Sequence, residues 1–123
     1  MCIRDRAMTT AKDLQKQFHC CMPLFIALGD KVRLSIVELL SEDALKNGST
    51  RGTIDFEGCA MNVNEITRRT SLSRPAISHH LKILKDAGLV GVRQDGTANY
   101  YYLTLRDSTR SLMELGYRLE EFM

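Results

Sequence analysis

Apolar residues recur along this chain with two different periods. Leu14, Phe18, Cys21 and Phe25 stand four, three and four residues apart, the interval that places side chains on one helical face. A first helix is predicted over residues 10–28. Pro23 falls inside it and, having no amide proton, is expected to kink it or break it in two. Gly29-Asp30 punctuates, and Asp30 is the expected cap of a second helix running to about Glu42. Val32, Ile36, Leu39 and Leu40, with Leu34 and Val37 alongside, make a broad buried face there, which leaves Arg33 exposed. Ser41 to Ala60 reads as a polar, glycine-containing connection in which Thr53-Ile54-Asp55-Phe56 makes a short strand. So long a connection inside a compact domain is unusual and often functional.

The helical period then returns twice in quick succession. Asn62-Val63-Asn64-Glu65 has the form of a capping box and opens a short third helix to about Arg69. Thr70-Ser71-Leu72-Ser73 is a turn. From Ser73 to Gly88 both ends of a fourth helix are marked: Ser73 as cap, Pro75 in the first turn, Gly88 as stop. Ile77, Leu81 and Leu84 form one narrow stripe. Pro75, Ser78, His79, Lys82 and Asp86 lie opposite. Two helices joined by a tight turn, the second with a polar outer face, form a helix-turn-helix over residues 62–88.

After Gly88 the period falls to two. Leu89 to Gln94 alternates, Asp95-Gly96 is a hairpin signal, and Asn99 to Leu103 returns. This hairpin, residues 89–103, is a wing. The fold class expected is therefore mainly α with a small β-hairpin wing, a winged helix-turn-helix. Residues 107–123 form a last amphipathic helix with Leu112, Leu115, Leu119 and Phe122 on one seam. A domain this small has little core left for that seam, so this last helix is expected to pair with its copy in a homodimer.

Charge and composition narrow the function. A chain of 123 residues implies one domain. Met1 to Arg6 resemble a translated sequencing-adapter fragment, so residues 1–7 are read as a non-native leader and 8–123 as the domain. The net charge of +2 says little by itself. Between Asn62 and Leu103, however, Arg68, Arg69, Arg74, Lys82, Lys85 and Arg93 outnumber Glu65, Asp86 and Asp95. Positive charge concentrated around the fourth helix is what a phosphate-binding surface requires. No membrane span and no secretory pattern is present, and the expected location is cytoplasmic. No nucleophile–base pair, phosphate loop or pair of catalytic acids stands out, so no enzyme and no cofactor is expected.

The block Ser73-Arg74-Pro75-Ala76-Ile77-Ser78-His79-His80-Leu81-Lys82-Ile83-Leu84-Lys85-Asp86-Ala87-Gly88-Leu89-Val90 resembles the ArsR/SmtB family of winged-helix bacterial repressors. Phe25 to Leu34, Asn62 to Thr70 and Asp95 to Tyr102 agree with it, so the resemblance covers about residues 14–105. It implies a dimer built on the first and last helices, with the fourth helix in the major groove of an imperfect palindromic operator. It also implies a repressor released by an inducer, of small-molecule or redox type. Ser73, Arg74, Ser78, His79 and Lys82 match the DNA-facing helix, and Arg93, Gln94 and Thr97 match the wing. The family's metal sensors carry two cysteines around a valine where this chain has Asn62-Val63-Asn64. Residues 107–123 contain no histidine for the family's second zinc site. Neither metal site is carried over.

Each assignment has a plainer counterpart. Arg74 either reads a guanine or clamps a phosphate, and its place at the helix rim favours phosphate. Ser78 and His79 face outward as candidates for base edges, although a solvated histidine would look the same. His80 is expected at the edge of the core with a hydrogen bond. Lys82 either meets phosphate or pairs with Asp86 one turn on. Cys20 and Cys21, adjacent on a helix, point about 100° apart. One is expected in the core and the other near the dimer interface. The alternative is a thiol- or metal-responsive repressor that combines His19, Cys20 or Cys21 with Cys59. A further alternative is a winged helix that binds only protein.

Overall fold

The computed structural model describes residues 9–47, 49–50 and 53–123. The expected leader at 1–7 and the middle of the connection lie outside the described residues. The elements in order are α1 (Ala11–Leu28), α2 (Lys31–Asn47), β1 (Ser49–Thr50), β2 (Thr53–Ile54), a 3₁₀ turn (Glu57–Cys59), β3 (Met61–Asn62), α3 (Val63–Arg68), α4 (Arg74–Asp86), β4 (Val90–Asp95), β5 (Ala98–Leu103) and α5 (Arg106–Glu120). Among the described residues no helix is long and apolar enough to cross a membrane.

Thr10 caps α1 reciprocally: its hydroxyl accepts from the Asp13 amide at 3.1 Å, and the Asp13 carboxylate accepts from the Thr10 amide at 3.2 Å. Of the two outcomes expected at Pro23, the break does not occur: α1 runs unbroken through it. The proline deletes a single bond, to the carbonyl of His19, and both residues sit on the exposed side where water can pair that carbonyl. The face that α1 buries also differs from the expected row. Gln17, Cys21, Leu24 and Ala27 are buried, whereas Phe18 and Phe25 remain 42% and 45% exposed. The helix has two apolar faces, and the one that closes against its neighbours carries Cys21, Leu24 and Ala27, with Gln17 at its start.

The Asp30 carboxylate accepts from the amides of Val32 at 2.8 Å and Arg33 at 3.2 Å and so starts α2. The helix runs on to Asn47, beyond the expected end near Glu42. Ala44 keeps the buried row of Ile36 and Leu40 going, and Lys46–Glu42 at 2.8 Å pairs one turn back. Leu34, placed in the buried face by its sequence, is 44% exposed. Arg33, expected at the surface, has only 12% of its side chain exposed. Three residues after the cap, Arg33 points back over the end of α1, where the carbonyls of Ile26 and Ala27 draw its guanidinium inward.

Residues 53–54 do form a strand, paired antiparallel with Ser49–Thr50. The main sheet has three strands in the order β3-β5-β4. Only the β4–β5 hairpin was expected. Its register pairs Asp95 with Ala98, so Gly96-Thr97 is the two-residue loop, and Gly96 has a φ of +64°. The added strand, Met61–Asn62, pairs with Tyr100 and Tyr101 and ties the start of the helix-turn-helix to the wing. The core beneath these elements contains Leu24, Ile36, Leu40, Ile66, Ile77, Leu81, Leu84 and Leu103. Of the last seam only Leu115 is buried. Leu112 and Phe122 are exposed, and Phe122 lies past the end of α5. One copy of the chain covers α5 only along the side that meets α1, where the Ser111 carbonyl accepts from Gln17 Nε2 at 3.0 Å.

Candidate nucleic-acid interface

Local sequence builds the helix pair. Asn62 Oδ1 accepts from the Glu65 amide at 2.8 Å while Glu65 reaches back to the Asn62 amide at 3.4 Å. This capping box starts α3. The amide oxygen of Asn62 is thereby committed to the backbone. Ser73 Oγ accepts from the Ala76 amide at 3.4 Å, Pro75 sits in the first turn, and α4 begins. Gly88, at a φ of +79°, turns the chain out of it.

Burial then orients α4. Ile77, Leu81 and Leu84 are fully buried. Ser73, Arg74, Pro75, Ser78, His79 and Lys82 are exposed on the other side. The first three turns of this face carry hydroxyls, an imidazole and cations. Its one acid, Asp86, comes at the far end, about 18 Å along the axis from Arg74. Lys82 Nζ lies 3.0 Å from Asp86 Oδ2, so the pairing alternative to a phosphate contact is realised in the free chain. Both side chains are well exposed, and such a pair is worth only about 0.3–0.5 kcal/mol. It yields readily to a stronger anion.

The wing residues divide. Gln94 and Thr97 are exposed at the hairpin tip. Arg93 folds back instead: Nη1 donates to the Glu57 carbonyl at 3.0 Å, and the guanidinium lies 5.4 Å from the centre of the Tyr100 ring. It braces the wing against the 3₁₀ turn.

Two features were not singled out from sequence. The turn into α4 borders a cleft of about 490 Å³, lined in part by Ser35, Arg68, Arg69 and Ser71. The adjacent Arg68-Arg69 pair was its only signal. The second feature is a contact from Arg33 to His80, with Arg33 Nη1 3.2 Å from His80 Nδ1. His80 is half-buried and hydrogen-bonded as expected, but nothing in the local pattern names its partner 47 residues away.

The cysteines are spread through the structure. Cys21 is buried and its Sγ donates to the Ser111 carbonyl at 3.4 Å, while Cys20 on the same helix is exposed. Cys59 lies in the 3₁₀ turn, where burial, helped by the carboxylates of Asp43 and Asp55, pushes its thiol above the ordinary value. A thiol shifted that way is a weaker nucleophile and metal ligand. Among the described residues no group of three His, Cys, Asp or Glu side chains is placed to hold a metal ion. His19, Cys20, Cys21 and Cys59 are not brought into one.

Residues 57–92, from the 3₁₀ turn to the first half of the wing, match the model of the arsR family of bacterial regulatory proteins. An uncharacterised HTH-type transcriptional regulator of Methanocaldococcus jannaschii, MJ1325, is 39% identical over 100 residues, which cover 81% of this chain and 94% of that protein. The transcriptional repressor SdpR of Bacillus subtilis is 32% identical over 88 residues, covering 69% and 80% of the two chains. Among solved structures, HlyU of Vibrio cholerae superposes with a TM-score of 0.58 at 28% identity, covering 85% of this chain and 95% of that one.

Proposed function

This chain belongs to the arsR family of transcriptional regulators, and from that premise we propose that it is a dimeric repressor reading double-stranded DNA with α4. The exposed N-terminal half of α4 carries the reading. Arg74 and Ser73 meet phosphate at the groove edge, Ser78 and His79 reach base edges, and Lys82 exchanges Asp86 for phosphate. Gln94 and Thr97 at the wing tip touch the flanking backbone, with Arg93 bracing the hairpin behind them. The dimer forms through the apolar faces left open on α1 and α5. A twofold axis between them sets two copies of α4 about one helical turn, 34 Å, apart on an imperfect palindrome. Repression is favoured by the likeness to SdpR, a repressor. Asn62 and Asn64 offer amides where the family's metal sensors offer thiolates, so the inducer is not a thiophilic metal held at the start of α3.

Binding to a labelled duplex over a salt series tests this. Arg74→Ala is expected to weaken binding by roughly 1–3 kcal/mol and to flatten the salt slope. Unchanged affinity and slope would refute the assignment. Absence of any DNA binding would favour the protein-interaction alternative.

A further inference from the structure

Arg33 lies outside the helix-turn-helix, yet its side chain joins three helices. Nε donates to the Ala27 carbonyl at 2.7 Å and Nη2 to the Ile26 carbonyl at 3.3 Å. Both carbonyls belong to the last turn of α1, where no amide within the helix remains to pair them. Nη1 lies 3.2 Å from His80 Nδ1 on α4. The Asp30 carboxylate, which caps α2, stands 3.9 Å from Nη2 on the remaining side.

A guanidinium is a flat, rigid fork of donors with no acceptor. Facing a group that can only donate, His80 Nδ1 is the accepting atom of this contact. One planar group thus fixes the end of α1, the start of α2 and the side of α4 relative to each other. His80 is followed back along the helix by His79, and the two ring centroids are 5.5 Å apart at an interplanar angle of 61°. Whatever shifts His80 shifts His79, on the outward face, with it.

We infer that Arg33 is a positioning residue for DNA reading: through His80 it sets the pose of α4 against α1. The inference rests on the function proposed above. There α1 lies at the dimer axis, so the same clamp fixes how far and at what angle each copy of α4 stands from that axis. Hydrogen bonds to base edges weaken steeply with misalignment, whereas long cationic side chains still find phosphates. Loss of the clamp therefore lowers discrimination between sequences more than it lowers affinity for DNA at large.

The test starts from duplexes selected out of a random library by the unmodified chain. The ratio of Kd for a random duplex to Kd for a selected one is then measured at fixed salt for Arg33→Gln, His80→Leu and His80→Asn. Arg33→Gln and His80→Leu are expected to lower the ratio about tenfold, the effect of losing a hydrogen bond to a charged group. Affinity for the random duplex stays within a small factor. His80→Asn, whose amide oxygen stands where Nδ1 stood, should keep most of the ratio. Inactive protein cancels from the ratio, so partial unfolding does not mimic the effect. Should Arg33→Gln fail to fold, the contrast between His80→Leu and His80→Asn decides alone. An unchanged ratio in His80→Leu, or an equal loss in His80→Asn, overturns the inference. Failure of the unmodified chain to enrich any duplex overturns DNA reading itself, which separates the two failures.

Discussion

Truncating Phe18 tests the dimer from the side of packing. Phe18, Met22 and Phe25 on α1, Leu112 and Met113 on α5, and Phe122 beyond it are between 37% and 58% exposed in one copy of the chain. Phe18, Leu14, Met22 and Phe122 line one apolar groove of about 350 Å³. Complete burial of a phenylalanine side chain is worth roughly 1.5–3 kcal/mol. With 42% of Phe18 still exposed, about 1 kcal/mol remains to be gained on association. A twofold axis counts each substitution twice, so Phe18→Ala should cost about 2 kcal/mol, or about thirtyfold in the dimer Kd. Sedimentation velocity over a concentration series reads that shift directly. Leu45→Ala is the control, because Leu45 is just as open at 57% but lies near the end of α2. It should leave the dimer Kd unchanged. Phe18→Ala dissociating at the same concentration as the unmodified chain, or Leu45→Ala weakening the dimer equally, would place the dimer contact elsewhere.

Three further outcomes are expected. Asn62→Ala removes the capping box of α3 and should cost about 1 kcal/mol in urea unfolding, with an unaltered midpoint counting against the role of the cap. The carboxyl of Asp30 is held below its ordinary value chiefly by the Arg33 amide, with the Val32 amide and the Arg33 guanidinium adding to it and burial opposing it. A depressed folded value means that stabilisation is present above the unfolded value, near 4, and is lost as pH falls through the lower folded one. The stability gap between the unmodified chain and Asp30→Asn should therefore be full at neutral pH and close in acid, and a gap that widens in acid would contradict the sign. On Gly91 a Cβ would come 2.7 Å from the Tyr102 ring and 2.9 Å from the Thr104 methyl. Gly91→Val should accordingly destabilise the wing by roughly 1–3 kcal/mol, and an unchanged unfolding midpoint would show that Tyr102 moves aside freely.

The most legible element was α4, because each of its determinants is local. Ser73, Pro75, the Ile77–Leu81–Leu84 stripe and Gly88 act within a few residues of one another, and all four appear in the structure. The same holds for the Asn62 capping box. Legibility failed where the deciding contact is distant. Periodicity showed that α1 is amphipathic, but with Phe18 and Phe25 on one row and Cys21, Leu24 and Ala27 on another, it is α5 against Cys21 and the central core against Leu24 and Ala27 that decide which row is covered. The strand at Met61–Asn62 is too short to show a period and exists because β5 pairs with it. Arg33 looked like a surface cation because helical phase carries no information about α1 carbonyls or a histidine on α4. Of the interface, the outward residues of α4 follow from its phase alone, whereas the return of Arg93 onto Glu57 depends on the turn before β3.

Titration of the unmodified chain and of His79→Ala, at fixed salt, against a selected palindromic duplex and its single-base variants tests most directly whether α4 reads sequence. His79→Ala should lose roughly 1–3 kcal/mol on the selected duplex and cease to distinguish bases at one or two positions, repeated symmetrically in half-sites one helical turn apart. Equal affinity and equal discrimination in the two proteins would contradict sequence reading by α4.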